Sequence, residues 1–411
     1  MLVNFDKQAI VNNSFPFVSL AGFSSRTSDD DFGGETLFCS LVIFNKTFAI
    51  VSVDVLYISD QLYSYISELL LDFASIQKQN IIVNATHTHS APNISSPIFG
   101  TLDSGFLDAV KSALTRCVDN ALKIDMECDV YFSKENQLSD IIAYRRKLSL
   151  DLKSLFLKRK ALLLPERKMQ GVYSFNKLSF YCGKVEKLSI LGLSCHPVFS
   201  TSNCISSDFP GELIDKYEAL VKTKAFFVQG WSGDLRPNST GSILKARTKG
   251  ELFKALTNKS VFIKTRKKFY DYFICRLLKL STENNSQRLD VGNIRSDKKI
   301  FVLKSKSGLT EKLFFVNVLF FSNVLLVSMP AEVSSLYYKN LSNDFNRLEI
   351  FPFGCSNGMI GYLPFHTQCR ELGYEVESST NYGWDSPICE ESLLIFYLDL
   401  KTFINECVYA S

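Results

Sequence analysis

The chain has 411 residues, 46% hydrophobic and 21% charged, with 34 Phe and 17 Tyr. That composition excludes a disordered chain and leaves room for one large domain or two ordinary ones. A formal charge of +4 is small for this length, so it does not by itself indicate nucleic acid or an anionic membrane as a partner.

The N-terminal stretch MLVNFDKQAIVNNSFPF lacks a basic region followed by a continuous apolar run, so no secretory signal is expected. Residues 38–57 read as two β-branched apolar runs broken at Asn45-Lys46, a hairpin signal. Apolar residues at helical spacing predict helices over 60–74 and 103–123, and IIVNATHTHS between them reads as a short buried strand entering a polar loop. KLSILGLSCHPV, a helix near 210–222 and KAFFVQGWSGD continue the alternation. The implied class is α/β: a mixed β-sheet core flanked by helices, with functional loops at strand ends.

Residues 245–280 are dominated by Lys245, Arg247, Lys249, Lys264, Arg266, Lys267 and Lys268, followed by Phe269, Tyr270 and Tyr272. We read this segment as a solvated helical insertion rather than a nucleic-acid or lipid patch. The apolar stretch 313–327 is interrupted by polar residues and predicts strands; nothing approaches the roughly 20 apolar residues of a membrane span. Without repeats or low-complexity linkers, residues 1–411 are expected to form a single domain. Eleven cysteines, odd in number and without a CxxC pair, indicate reduced thiols acting as small buried hydrophobes in a cytoplasmic protein.

Three of the four histidines lie in polar loops after apolar strands. In Thr86-His87-Thr88-His89-Ser90, an extended backbone would turn both imidazoles to one face, so one could bind a metal while the other acts on substrate. His196 follows KLSILGLSC. Carboxylates occur in matching settings: Asp208 and Glu212 in SSDFPGEL, Asp234 in FVQGWSGDLRP, and Glu332 in LLVSMPAEV. Zinc accepts imidazole nitrogen and carboxylate oxygen and, in catalytic sites, keeps a position for water whose pKa it lowers. Spacing does not choose among the four acids.

In order, Thr86-His87-Thr88-His89-Ser90-Ala91-Pro92, Cys195-His196-Pro197-Val198, Asp208-Phe209-Pro210-Gly211, Gln229-Gly230-Trp231-Ser232-Gly233-Asp234, Pro330-Ala331-Glu332, and Gly361-Tyr362 with Gly373-Tyr374-Glu375 resemble the motifs of the neutral/alkaline (non-lysosomal) ceramidases. The resemblance runs from about residue 20 to 390. It implies a zinc ion bound by His87, His196, Glu332 and Tyr362. It also implies His89 against substrate and water, Arg145 and Tyr374 as oxyanion donors, and Asp234 as a second candidate base. The implied activity is hydrolysis of an N-acyl amide by metal-activated water, with an ester as the other acyl bond open to the same chemistry.

The chain departs from the family in Gly233-Asp234-Leu235-Arg236-Pro237, where a Ser or Thr usually stands at position 236, and in Asn93-Ile94-Ser95 after the histidine motif. No C-terminal immunoglobulin-like domain or secretion signal is visible. Arg236 suggests a carboxylate- or phosphate-bearing substrate, since a guanidinium pairs bidentately with either. The expected partner is therefore a small N-acylated molecule, lipid or amino sugar; a homo-oligomer is compatible with this reading. A deacetylase of an N-acetylated amino sugar or sugar nucleotide and a non-catalytic binding protein on the same scaffold are the competing readings.

Overall fold

The computed structural model describes residues 1–11, 19–23, 34–148, 163–166, 171–238, 259–283, 286–292 and 294–409. Strands β1 (Leu2–Ile10), β2 (Leu37–Phe44), β3 (Phe48–Val53) and β4 (Ile81–Ala85) form a sheet ordered β4-β3-β2-β1, extended by β5 (Met126–Glu127). Asn45 and Lys46 both take positive φ, the turn geometry that suits a twisted hairpin, and pair β2 with β3 as expected. Helices α1 (Asp60–Ala74) and α2 (Ser104–Ala121) start where Ser59 and Asp103 accept hydrogen bonds from Leu62 N and Phe106 N, and they cover one face.

Next come β6 (Asp129–Glu135), β7 (Ile142–Leu148), β8 (Leu163–Glu166), β9 (Phe175–Cys182), β10 (Val185–Leu193), helix α3 (Asp208–Val221), β11 (Lys224–Gln229) and β12 (Leu235–Pro237). Helix α4 (Lys259–Thr282) and β13 (Gln287–Arg288) follow, giving sheets β11-β10-β9-β6-β13 and β12-β7-β8. The last third contains β14 (Arg295–Lys304), β15 (Glu311–Phe321), β16 (Val324–Ser328), β17 (Glu332–Val333), α5 (Ser335–Asp344), β18 (Glu349–Phe353), β19 (Tyr362–Leu363), α6 (Tyr374–Glu377) and α7 (Glu390–Tyr409), with sheets β14-β15-β16-β18 and β17-β19. The architecture is mixed α/β.

Three β-α-β units recur: β3-α1-β4, β10-α3-β11 and β16-α5-β18, each with its two strands parallel. Their sheets share one apolar core in which Phe44, Phe180, Phe226, Phe321 and Phe351 meet. Burying these large side chains brings three strand ends to one place, because a parallel unit always exits its strands on the same side. His87 follows β4, His196 follows β10 and Glu332 follows β16.

The basic segment departs from the expectation in part. It is helical from Lys259, but Phe273, Ile274 and Leu277 are fully buried, and Phe199 packs its ring against Phe269, Tyr270 and Phe273 at 5.8, 4.7 and 5.3 Å. Apolar residues at helical spacing dock this end of α4 on α3, so it is not a solvated arm; residues 239–258 lie outside the described part. All eleven cysteines are free thiols, but only six are buried; Cys182, Cys204, Cys369 and Cys389 are partly exposed and Cys275 is exposed. No helix among the described residues is long and apolar enough to cross a membrane.

Candidate metal centre

His87 hangs from a backbone held by Thr86 N to Val53 O at 2.9 Å and His87 N to Val55 O at 3.1 Å. Its φ is +64°, so the histidine loop is not extended as the i, i+2 argument assumed. Left-handed backbone at a non-glycine residue costs about 1–3 kcal/mol and is held here by the flanking bonds. The two imidazoles still meet, with ring centroids 5.0 Å apart and His196 5.0 Å from His87.

The protons on the two buried rings can be assigned from their partners. His87 Nδ1 donates to Leu56 O at 3.0 Å, and His196 Nδ1 donates to Ser232 O at 2.8 Å. Each Nε2 is thereby turned inward, and the two Nε2 atoms face one another at 3.4 Å. Glu332 Oε2 lies 2.8 Å from His196 Nε2 and 3.5 Å from His87 Nε2, is fully buried, and lacks a hydrogen bond of good geometry. Three polar atoms converge where water is excluded, an arrangement that a proton on an imidazole or a metal cation among them can satisfy.

The same closeness sets the electrostatics. Burial pushes Glu332 up, but the facing imidazoles His87 and His196 outweigh it and hold the carboxyl well below its usual range. Burial pushes His87 down, yet Cys355 and Glu332 overcome it and hold the imidazole well above its usual range. A metal fits these residues: ligands about 2.0–2.1 Å from a tetrahedral zinc sit about 3.4 Å from each other, and metal-binding histidines commonly give their second N–H to a carbonyl. His87, His89 and His196 also form a compact group, with one nitrogen from each within 4.8 Å of the others.

Register explains the glutamate's neighbours. Glu332 pairs with Tyr362 in the β17-β19 ladder, and Tyr362 stacks on His196 with centroids 6.4 Å apart and planes 7° apart. Tyr374 is 54% exposed, its ring 5.3 Å from that of Tyr362. Asp234 is fully buried and accepts from Ser334 Oγ at 2.5 Å, Ser335 N at 2.8 Å and Gln368 Nε2 at 2.8 Å, so its carboxylate anchors the start of α5. Gly233 is required beside it: a Cβ there would stand 2.5 Å from Glu332 O. Asp208 likewise accepts from Ser200 N and Phe209 N, each at 2.6 Å. Arg236 is half-buried on β12, opposite Ala143. Arg145 lies on β7, and its side chain is outside the described part.

Sequence reasoning missed Tyr57 and Tyr382. Tyr57 donates to Glu332 Oε1 at 2.5 Å, Tyr382 reaches the same oxygen at 3.1 Å, and the two hydroxyls are 2.9 Å apart. Burial and then the Glu332 charge hold both phenols well above the usual tyrosine range, so they remain donors. Tyr57 closes the run FAIVSVDVLY at a strand end, which was the available signal. Both line a cavity of about 220 Å³ together with Phe99, Ile98, Met359 and Ser95. A larger cavity of about 410 Å³, lined by Lys7, Glu35, Asp54 and Asp215, lies behind Thr86 and includes none of the converging atoms.

The fold is that of the neutral ceramidases. A ceramidase solved as a complex with C2 superposes with a TM-score of 0.71 at 12% identity, covering 97% of this chain and 73% of that one. Neutral ceramidase from Pseudomonas aeruginosa superposes with a TM-score of 0.71 at 13% identity, covering 97% of this chain and 72% of that one. No protein-family model and no curated protein sequence matches the chain.

Proposed function

We propose that the protein is a zinc-dependent amidohydrolase that cleaves the N-acyl amide of a ceramide-like substrate. The observation that carries this reading is the convergence of His87 Nε2, His196 Nε2 and Glu332 Oε2 within 3.5 Å in a buried site. His87, His196 and Glu332 would hold the ion, with Tyr362 as a fourth candidate beside Glu332. An imidazole-carboxylate donor set suits zinc, which when bound supplies Lewis acidity to a carbonyl and lowers the pKa of a water.

The chain's own residues do the rest. His89, beside both histidines, takes the proton of the attacking water at a ring nitrogen and returns it to the leaving amine. Tyr374 and Arg145 donate to the developing oxyanion. Arg236 is a candidate contact for an anionic group on the substrate. Asp234 is occupied by three donors, which favours His89 over it as the base.

Metal analysis of the purified protein beside a His87→Ala/His196→Ala variant tests this, together with hydrolysis of short-chain N-acylsphingosine. About one zinc per chain, lost in the variant with the activity, is expected. A wild type that stays zinc-free after zinc is supplied overturns the proposal.

A further inference from the structure

Glu332 has two carboxylate oxygens, and only Oε2 faces the imidazoles. Oε1 points the other way, into two phenols. We propose that Tyr57 and Tyr382 are positioning residues that hold Glu332 by Oε1, so that it offers a single oxygen to the cation between His87 and His196. The inference rests on the metal reading above and goes beyond it by naming what sets the glutamate's binding mode.

A carboxylate at a metal can bind through one oxygen or both. A catalytic zinc site uses three protein ligands and keeps a further position for water or substrate. A glutamate free to rotate would place both oxygens on the ion and crowd that position. Burial alone does not prevent the rotation; hydrogen bonds to Oε1 do, and charge-assisted ones are the stronger kind.

The proton count ranks the two tyrosines. Each phenol has one proton, yet three short contacts join the three oxygens: 2.5 Å from Tyr57 to Oε1, 3.1 Å from Tyr382 to Oε1, and 2.9 Å between the hydroxyls. Two protons serve three contacts. Tyr57 gives its proton to Oε1, and Tyr382 shares its own between Oε1 and the Tyr57 oxygen, polarising the first bond further. Tyr57 is therefore the principal holder.

Both rings are fixed in place. Tyr57 packs on His87 at 5.1 Å and on Phe99 at 5.0 Å, and Tyr382 packs on Phe99 at 5.6 Å. Tyr382 also depends on a glycine: Gly361 has φ +104°, and a Cβ there would fall 2.7 Å from Tyr382 Cγ. The same Gly361 accepts the Glu332 amide through its carbonyl at 3.0 Å. One glycine thus lets the backbone hold Glu332 while the phenol approaches its side chain.

The test compares wild type, Tyr57→Phe, Tyr382→Phe, the double variant, and Tyr63→Phe as a control, since Tyr63 is a buried tyrosine of α1 whose hydroxyl donates to Lys78 O and makes no contact with Glu332. Zinc affinity is measured by competition with a chelator, and the cobalt-substituted proteins are compared by visible absorption, which reports coordination number. Tyr57→Phe is expected to weaken zinc binding about 10-fold or more, and Tyr382→Phe less, with the double variant's cobalt band losing intensity as both oxygens bind. Tyr63→Phe is expected to match wild type. If wild type binds zinc and the Tyr57 and Tyr382 variants match it in affinity and spectrum, the inference falls while the metal reading stands. An equal loss in Tyr63→Phe also overturns it, because the effect is then one of packing. If wild type takes up neither ion, both readings fall together.

Discussion

Glu332 and Asp234 are both fully buried acids that follow a strand end, and they are used in opposite ways. Asp234 is saturated: Ser334, Ser335 and Gln368 donate three hydrogen bonds to its two oxygens. Glu332 is saturated on one oxygen only, by Tyr57 and Tyr382, and turns the other toward two imidazoles. On the proposed reading, a buried carboxylate becomes a ligand when part of its hydrogen-bonding capacity is withheld. One whose capacity is spent on backbone and side-chain donors holds the loop that carries the ligand.

The largest expected effect tests the saturated side. Asp234→Ala leaves three buried donors without an acceptor, each worth about 1–3 kcal/mol, so unfolding by denaturant should show a loss of about 3 kcal/mol or more. Asp234→Asn keeps the shape but sets an amide N–H against a donor, and should cost less. An Asp234→Asn protein with a wild-type unfolding midpoint and no turnover would make Asp234 the catalytic base and break the contrast.

That contrast also marks what could be read from the sequence. The hairpin at Asn45-Lys46, the helices from residues 60 and 104 and the alternation of strands and helices are local patterns, and they appear in the structure because period and turn chemistry are local properties. The strand-end histidines and Glu332 were visible as candidates for the same reason. Which acids are saturated was not, since the donors of Asp234 lie 100, 101 and 134 residues further along the chain. Tyr57 and Tyr382, 325 residues apart, meet only through the fold. The extended-loop argument for His87 and His89 failed because φ at His87 is set by Leu56 and Val55, across a tertiary contact.

A smaller effect separates His89 from the ligands. Gly22, at φ +99°, lies against the His89 ring, where a Cβ would stand 2.7 Å from Nδ1 and 2.8 Å from Cγ. Gly22→Ala should displace the ring and lower turnover about 100-fold, the cost of a misplacement near 1 Å, while zinc content stays at the wild-type level. Loss of zinc along with turnover would make His89 a ligand, in keeping with its place in the three-histidine group, and would redraw the centre around three imidazoles.

The smallest effect concerns Asp54, a third buried acid one bond behind the site: its Oδ1 accepts from Thr86 Oγ1 at 3.0 Å and its Oδ2 from Phe38 N at 2.8 Å. Burial raises Glu332 and Asp54 alike, but no imidazole faces Asp54. The hydrogen bonds from Phe38 and Thr86 and the Lys7 charge offset burial only in part, and the carboxyl is pushed up to about 6. A folded value above the unfolded one means that the fold prefers the protonated acid. The associated stability is complete below the unfolded value of 3.8 and is lost as pH rises through about 6. Relative to Asp54→Asn, which cannot ionise, wild type should therefore lose about 2 kcal/mol between roughly pH 4 and pH 7, followed by denaturant unfolding at each pH. A difference that stays flat across that window would place Asp54 with the acids that keep their charge when buried, and saturation by neutral donors would then be enough to hold one.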